Sequence, residues 1–572
     1  MPSTIYTLTL VAYYTVNDCT ELDGVYRIGR RTVHKQIVIS YFKGYDYTTV
    51  MTRRPSWCGL AAVCLLVAIA GWPRPVDAAR VLAVETVAAK SHWNVMKGVL
   101  HALVGRGHTV KVYTPFPDHG TPPTDNYTEV ETSAHYHIGD TDETASAVNM
   151  NATAVVPLFA RTSFMVPFIV NSSRLVCDIM DRFLSRDVGA YDLFITEPLG
   201  SDCVSHAARR LGVPLVYVFP APLLPWIETA AFGHYSNPAA VPHLFAAYAV
   251  PDTFYRRLHS AAMHLYTVVA NYWYTATAAA VERRPYDLAP PVIPALVFVN
   301  THHVTEPPRP VPANRVDVGG IHLTAPRPLP ADILKFIEES PNGIIYFTFG
   351  TVVALSTMPD HIQNIFKDAL AEVPQRVLLK YEGEMKDKPK NVMTSKWLPQ
   401  RDILKHPNVK LFIGHGGISG VYEAVDAGVP ILGFPLFYDQ PRNMANLVDA
   451  GMALSFDLFS VTKNTLLSAI NEIINNETYS KNAKIVSDRF KDRPMSPADS
   501  VVYWTEYIIR HKGAPHLRSH ALNLTWYQYF LLDVVAVVLL IIVSVFYTAL
   551  KTLQMINKII FKPSSKSKSK PD

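Results

Sequence analysis

The chain has 572 residues, more than one ordinary hydrophobic core organises, so about two to four domains are expected, with two folded domains plus accessory segments as the simplest division. Apolar residues make up 49% and charged residues only 18%, a globular balance that leaves part of the apolar content for a membrane. The formal charge is +5, but beyond Asp533 Lys551, Lys558, Lys562, Lys566, Lys568 and Lys570 face only Asp572 and account for that excess; the near-neutral remainder excludes a phosphate-backbone binder.

Residues 1–50 show no sustained periodicity and form an extension of uncertain status. From Met51 the chain runs MTRRPSWCGLAAVCLLVAIAGWPRPVDAAR. Two arginines, an apolar run from Leu60 to Ala70 and small residues at Ala78 and Ala79 give residues 51–79 the layout of a secretory signal peptide. Its position fifty residues in suggests either that Met51 is the working start or that the leader acts internally. Of the five cysteines, Cys58 and Cys64 fall in this leader, and Cys177 and Cys203 fall in the folded region. A disulfide framework and a zinc cluster are therefore both poorly supported, and a single Cys177 to Cys203 bridge stays open.

RVLAVET from Arg80 to Thr86 reads as a buried strand, KSHWNVMKGVLHALVGRG as an amphipathic helix closed by glycine, and HTVKVYTPF as the next strand. YDLFIT, HAARRLG and PLVYVFP repeat the pattern, which predicts a parallel sheet flanked by helices over residues 80–305. The proline-rich run from Glu306 to Pro330 reads as an interdomain linker. Alternation resumes over residues 331–515: GIIYFTFG, QRVLLKY, KLFIG and PILGFP as strands, MPDHIQNIFKDALAEV and ISGVYEAVDAG as helices. Two α/β domains then face each other, with ligands expected beyond the carboxyl ends of the strands.

Residues 516–528 are juxtamembrane. YFLLDVVAVVLLIIVSVFYTAL, residues 529–550, is long enough to cross roughly 30 Å of hydrocarbon at about 1.5 Å per residue. The lysines of the tail, residues 551–572, predict a cytosolic end and a lumenal body, a single-pass type I arrangement. Lys568 and Lys570 form a KxKxx ending of the kind read as endoplasmic-reticulum retrieval. Sequons at Asn126, Asn151, Asn171, Asn476 and Asn523 agree with a lumenal body, though each triplet is weak evidence by itself.

The stretch from Trp397 to Gln440, WLPQRDILKHPNVKLFIGHGGISGVYEAVDAGVPILGFPLFYDQ, is the most informative. KLFIG followed by HGGISG puts His415 and glycines where a strand turns into a helix, and free amides at a helix start favour an anion such as a diphosphate. Gly416 and Gly417 let the backbone approach closely. Gly414, Gly416 and Gly420 miss the GxGxxG spacing and lie late in the chain, which argues against an NAD or FAD site.

WxxQ, HGGxxGxxE and PLxxDQ at these spacings resemble the signature of the UDP-dependent glycosyltransferases. KSH at Lys90, RGH at Arg106, NPAAVP at Asn237, VNTH at Val299, PRP at Pro308 and VGGIH at Val318 resemble its animal, membrane-bound branch. The resemblance implies a GT-B fold, in which two Rossmann-like domains face a cleft, the first binding acceptor and the second binding donor. It places Trp397 on the uracil, Gln400 at the nucleoside and Glu423 on the ribose diol. His415, Gly417, Ser419, Thr348 and Thr351 would surround the diphosphate, and Asp439 and Gln440 would bind sugar hydroxyls. These roles suit the side chains' donor and acceptor capacity. Gly414 stands where serine or threonine is usual, and Ser419 where asparagine is frequent.

The resemblance assigns the catalytic base to His92, since an attacking hydroxyl must lose its proton as the new bond forms. A carboxylate should hold its tautomer, and Glu197 aligns at that point with Asp202 in reserve. The family often has aspartate there. No DxD-type metal motif can be assigned, and no cofactor is expected beyond the UDP-sugar co-substrate. The reaction implied is inverting transfer of glucose or glucuronic acid to a small lipophilic hydroxyl, in detoxification or metabolite conjugation at the endoplasmic-reticulum membrane. The acceptor's identity and a homo-oligomeric state are left open. A non-catalytic lumenal sugar-binding or receptor-like membrane protein is the other class, but it gives no reason for the spacing of Trp397, His415, Glu423 and Asp439.

Overall fold

A computed structural model of the chain describes residues 78–118, 124–133, 174, 176–187, 189–198, 203–288, 290–351 and 353–561. The amino-terminal extension, nearly all of the leader, Asn151, Asn171, Asp202 and the lysines from Lys562 onward lie outside the described residues.

The first sheet is built from β1 (Arg80–Val84), β2 (Thr109–Thr114), β3 (Tyr127–Glu131), β4 (Leu193–Thr196), β5 (Leu215–Phe219), β6 (Leu296–Val299) and β7 (Arg315–Asp317). Its seven strands run in the order β3-β2-β1-β4-β5-β6-β7, and the pairings are parallel. Strands covered on both faces need continuous apolar runs, and LFIT in β4 and LVYVF in β5 are buried at every position. Helix α1 (Lys90–Gly105) buries Trp93, Met96, Val99, Leu100 and Leu103, the i, i+3, i+4 stripe of a core-facing helix. Further helices are α2 (His206–Leu211), α3 (Pro225–Phe232) and α4 (Phe254–Val281). In α4 a narrow side with Ser260, Met263, Thr267 and Ala270 is buried, whereas the large apolar residues Phe254, Leu258, Leu265, Val269, Tyr272 and Trp273 are exposed.

The second sheet comprises β8 (Ile344–Thr348), β9 (Arg376–Lys380), β10 (Val392–Ser395), β11 (Val409–Gly414), β12 (Ile431–Gly433) and β13 (Ala453–Ser455), ordered β10-β9-β8-β11-β12-β13. Its helices are α5 (Ala331–Glu338), α6 (Asp360–Glu372), α7 (Gln400–Leu404), α8 (Ile418–Ala427), α9 (Gln440–Asp449), α10 (Lys463–Asn475) and α11 (Glu477–Lys491). Strand order reverses between β1 and β4 in one sheet and between β8 and β11 in the other, and such switch points open a crevice at the carboxyl ends. Glu85 and Glu197 follow the first pair of strands; Thr348 ends β8 and His415 follows β11.

Two boundaries differ from the sequence expectation. The run expected to be only a linker supplies β7, because Arg315 and Val316 are buried on the edge of the first sheet despite the surrounding prolines. The chain also returns: α12 (Pro497–Arg510) packs on α1 of the first domain, with Arg106 donating to Glu506 at 3.1 Å. Linker and second domain are joined by buried contacts. Thr305 Oγ1 and Tyr422 Oη are 2.8 Å apart, and Arg442 pairs with Glu306 with both side chains under 8% exposed.

Beyond α12, α13 (Trp526–Tyr529) docks on the first domain, its Tyr529 hydroxyl accepting from the Tyr235 amide at 3.3 Å. Leu531 then turns at φ 55°, and α14 (Leu532–Ile560) begins three residues later and ends ten residues further than the expected span. It is the one helix among the described residues long and apolar enough to cross a membrane. Asp533 lies in its first turn, where a carboxylate meets the positive end of the helix dipole. Cys177 is disulfide-bonded. The side chain of Cys203 lies outside the described residues.

Candidate active site

The residues expected to be catalytic meet at the end of the first sheet. His92 sits on the first turn of α1, and its Nδ1 lies 2.8 Å from Glu197 Oε1. Glu197, directly after β4, is 2% exposed, while the His92 side chain keeps 21% of its surface. Nδ1–H therefore donates to the carboxylate, leaving the Nε2 lone pair to take a proton. Burial alone would lower the imidazole's pKa, but the Glu197 charge and hydrogen bond, with a further push from Asp439, leave it raised. Asp202, the reserve partner, lies outside the described residues.

Asp439 belongs to the other domain, and the His92 and Asp439 charges act on each other, so the two halves meet in one cleft. Asp439 precedes α9 and is buried, and Asn443 one turn on donates to its Oδ2 at 2.7 Å. Burial raises its carboxyl to about 6 against the pull of that hydrogen bond. Gln440 uses its Oε1 to accept from the amides of Leu436 and Phe437, at 2.9 and 3.2 Å, so its amide N–H groups are what it can offer a ligand. Between these loops Tyr438 holds φ 60°, a left-handed conformation uncommon for an aromatic residue. Its hydroxyl is buried without a partner among the described residues, and burial, with the charges of Asp439 and Glu197, pushes its pKa up.

The residues expected to hold the donor diphosphate lie at the second switch point. Gly416 has φ 81°, and a Cβ there would stand 2.7 Å from Met444 Cγ, so only glycine lets α9 approach the turn. His415 is pressed against Gly350, whose added Cβ would meet its Cε1 at 2.7 Å. Burial lowers its pKa to about 4, so the ring is neutral at pH 7, and its buried Nδ1 has no partner among the described residues. The amides opening α8 adjoin it: Gly417 is the cap and Ser419 lies in the first turn. Thr348 is buried and accepts from the Gly350 amide at 3.0 Å, whereas Thr351 is exposed. A neutral donor beside free amides can take a diphosphate without a resident cation.

Around the expected nucleoside contacts, Tyr346 donates to Gln400 Oε1 at 3.2 Å, and Gln400 Nε2 donates to Glu423. Burial raises the Glu423 carboxyl to about 7 despite that hydrogen bond. The Trp397 indole is 63% exposed, an open aromatic face. The structure thus brings Gln400 to Glu423, and Asp439 and Gln440 to the turn after β11, whereas Trp397 and Thr351 are exposed and outside these contacts. Asn476 and Asn523 are exposed and Asn126 half-buried.

Sequence reasoning missed Tyr346, Asn443, Tyr438 and Glu85. Asn443 had a visible signal, one helical turn after the aspartate of the DQ pair. Glu85 had another: an acid ending an otherwise apolar strand.

Comparisons with known proteins identify the family and the fold. The family model described as "UDP-glucoronosyl and UDP-glucosyl transferase" matches residues 79–567. UDP-glucosyltransferase 2 of Dactylopius coccus is 39% identical over 474 residues, covering 81% of this chain and 90% of that protein. UDP-glucuronosyltransferase 2C1 of Oryctolagus cuniculus is 31% identical over 490 residues, covering 81% and 95%. The crystal structure of the glycotransferase of kitacinnamycin superposes with a TM-score of 0.50 at 15% identity, covering 75% of this chain and 98% of that one, which supports the GT-B fold. A family model spanning both sheets and relatives aligned over nearly their full length leave one conclusion, that the chain belongs to the UDP-glycosyltransferase family.

Proposed function

We propose that the chain transfers glucose from UDP-glucose to the hydroxyl of a small lipophilic acceptor, giving a β-glycoside and UDP. The observation that carries this reading is the His92 to Glu197 contact of 2.8 Å, in a cleft shared with Asp439. His92 Nε2 takes the acceptor's hydroxyl proton as the oxygen attacks the anomeric carbon. The bond from that carbon to the UDP oxygen breaks, and its electron pair leaves with UDP on the side of His415 and the α8 amides. Glu197 stabilises the imidazolium that forms.

Glucose is favoured over glucuronate by the charges around the sugar end. Asp439 and Glu197 are buried there, and the nearby buried arginines are already paired, Arg442 with Glu306 and Arg309 with Glu228. A glucuronyl carboxylate would enter without a free cation among them, whereas glucosyl hydroxyls can donate to Asp439. The Dactylopius relative, a UDP-glucosyltransferase by name, is consistent with this choice.

The apolar α14 and the lysines after it support a type I protein of the endoplasmic-reticulum membrane with a lumenal cleft, where lipophilic acceptors concentrate. Conjugation of such acceptors suits this setting. The test is to incubate membranes containing the protein with UDP-glucose or UDP-glucuronate and a phenolic acceptor. UDP-glucose should be used far faster, and His92→Ala should abolish turnover while UDP still binds. Transfer from neither donor would favour the non-catalytic lumenal reading.

A further inference from the structure

Glu85 is an acid at the end of an apolar strand, 0% exposed, beside the pair that handles the proton. In the parallel register of β1 and β4, Val84 stands opposite Thr196, so Glu85 and Glu197 are the next two residues on adjacent strands. Thr86 closes the pair by donating its hydroxyl to the Glu197 carbonyl at 2.7 Å, and the Val87 amide donates to Glu85 Oε1 at 2.9 Å. Both residues are buried, at 0% and 2% exposure, and stand side by side at the strand ends, so their charges act on each other. Two adjacent buried carboxylates repel, and a proton on one of them relieves the repulsion and supplies the O–H that the other can accept. Glu197 already faces His92 Nδ1, which needs an acceptor there, so the proton belongs on Glu85. Burial and the neighbouring Glu197 charge both push the Glu85 carboxyl well above its ordinary range, in agreement with that placement.

We propose that Glu85 is a positioning residue of the transfer reaction: as a neutral carboxylic acid it donates its O–H to Glu197 and holds that carboxylate against His92. The inference rests on His92 and Glu197 acting as base and partner. It explains how a glutamate serves where the longer side chain has an extra rotatable bond, because a second hydrogen bond restrains the carboxylate. The ionisable groups facing this cluster are His92 from α1, Glu197 after β4, and Tyr438 and Asp439 from the second domain.

The experiment uses the full-length protein in membranes or detergent and follows kcat/KM against pH. Glu85→Gln retains a donor for Glu197, so turnover should be rescued and the acid limb set by His92 should stay in place. A limb displaced to lower pH by Glu85→Gln would mean that a negative charge had been removed, and would overturn the proposal. Glu85→Leu removes the donor, and kcat should fall about ten- to a hundredfold with UDP binding unchanged. Wild-type turnover in Glu85→Leu would equally overturn it. Should Glu85→Leu fail to fold, the Glu85→Gln limb still decides, together with infrared difference spectra in which the carboxylic-acid carbonyl band present at neutral pH is lost on that substitution. His92→Ala separates the two levels: turnover surviving it defeats the base assignment, whereas its loss alongside a shifted Glu85→Gln limb defeats the Glu85 role alone.

Discussion

Asn443 donates to Asp439 Oδ2 at 2.7 Å and, through the same nitrogen, to the Gly416 carbonyl at 2.9 Å. One side chain therefore couples Asp439, proposed to face the sugar, to the glycine turn proposed to face the diphosphate. Asn443→Ala should leave Asp439 buried without its donor, a loss of about 1.5–3 kcal/mol for a hydrogen bond to a charged group. The donor KM should rise about tenfold or more, while the affinity for UDP, which lacks the sugar, changes little. Equal weakening of UDP and UDP-glucose in calorimetry would place the effect on the glycine turn instead.

The proposed contact of Asp439 with the sugar predicts a pH dependence of donor binding. Its carboxyl is raised to about 6 by burial, so the ionised form that accepts from sugar hydroxyls is depleted as pH falls through that value. The donor KM should climb below about pH 6 and level off above it. Asp439→Asn should flatten that rise and weaken donor use at every pH. A donor KM that is constant from pH 5 to 8 in the wild type contradicts this role.

His92 titrates in the opposite functional sense. Its pKa is raised, and catalysis needs the neutral ring, so kcat/KM should increase with pH through a value above the ordinary imidazole figure of about 6.5. Glu197→Gln removes the charge that raises it and permits the wrong tautomer. The acid limb should move to lower pH, and kcat should fall on the order of a thousandfold or more, as when the aspartate of a Ser-His-Asp triad becomes asparagine. Unchanged kcat in this variant would remove Glu197 from the reaction.

The pairing of His92 with Glu197 was legible through the family resemblance rather than through periodicity. Periodicity located the elements that carry them, since Glu197 follows an apolar strand and His92 opens an amphipathic helix, and a parallel sheet brings those ends together. The less legible features depend on tertiary contacts. Arg315 and Val316 lie among prolines, and only pairing with β6 makes them a strand. The outward apolar side of α4 has the same periodicity as a core-facing one, and periodicity does not say which side is covered. Tyr438 at φ 60° carries no local glycine or asparagine signal; its conformation is imposed by the turn between Phe437 and Gln440.

Trp397 offers a prediction in which binding and stability separate. Its indole is 63% exposed, so little packing is lost when it is truncated. Trp397→Ala should leave the thermal midpoint nearly unchanged yet weaken UDP binding by about 1–3 kcal/mol, the range for a base stacked on an aromatic ring. Trp397→Phe, which keeps an aromatic face, should recover most of the affinity. If alanine lowered the melting temperature as much as it weakened UDP, the ring would be part of the fold rather than the base platform.

Arg442 and Glu306 supply the converse case, a contact that should affect the fold more than the chemistry. Their side chains are 3% and 7% exposed, and they join the second domain to the chain leaving the first. Removing one partner strands the other charge in a buried setting, so Arg442→Ala or Glu306→Ala should each destabilise by about 3–5 kcal/mol. Replacing both, as in Arg442→Met with Glu306→Leu, should recover much of that loss, because it removes the stranded charge as well as the pair. Denaturant unfolding of the single and double variants measures the coupling, and additive losses would show that the two residues act independently. The double variant should also use UDP-glucuronate no better than the wild type, since it adds no free cation to the sugar end. A gain with that donor would place Arg442 itself at the sugar.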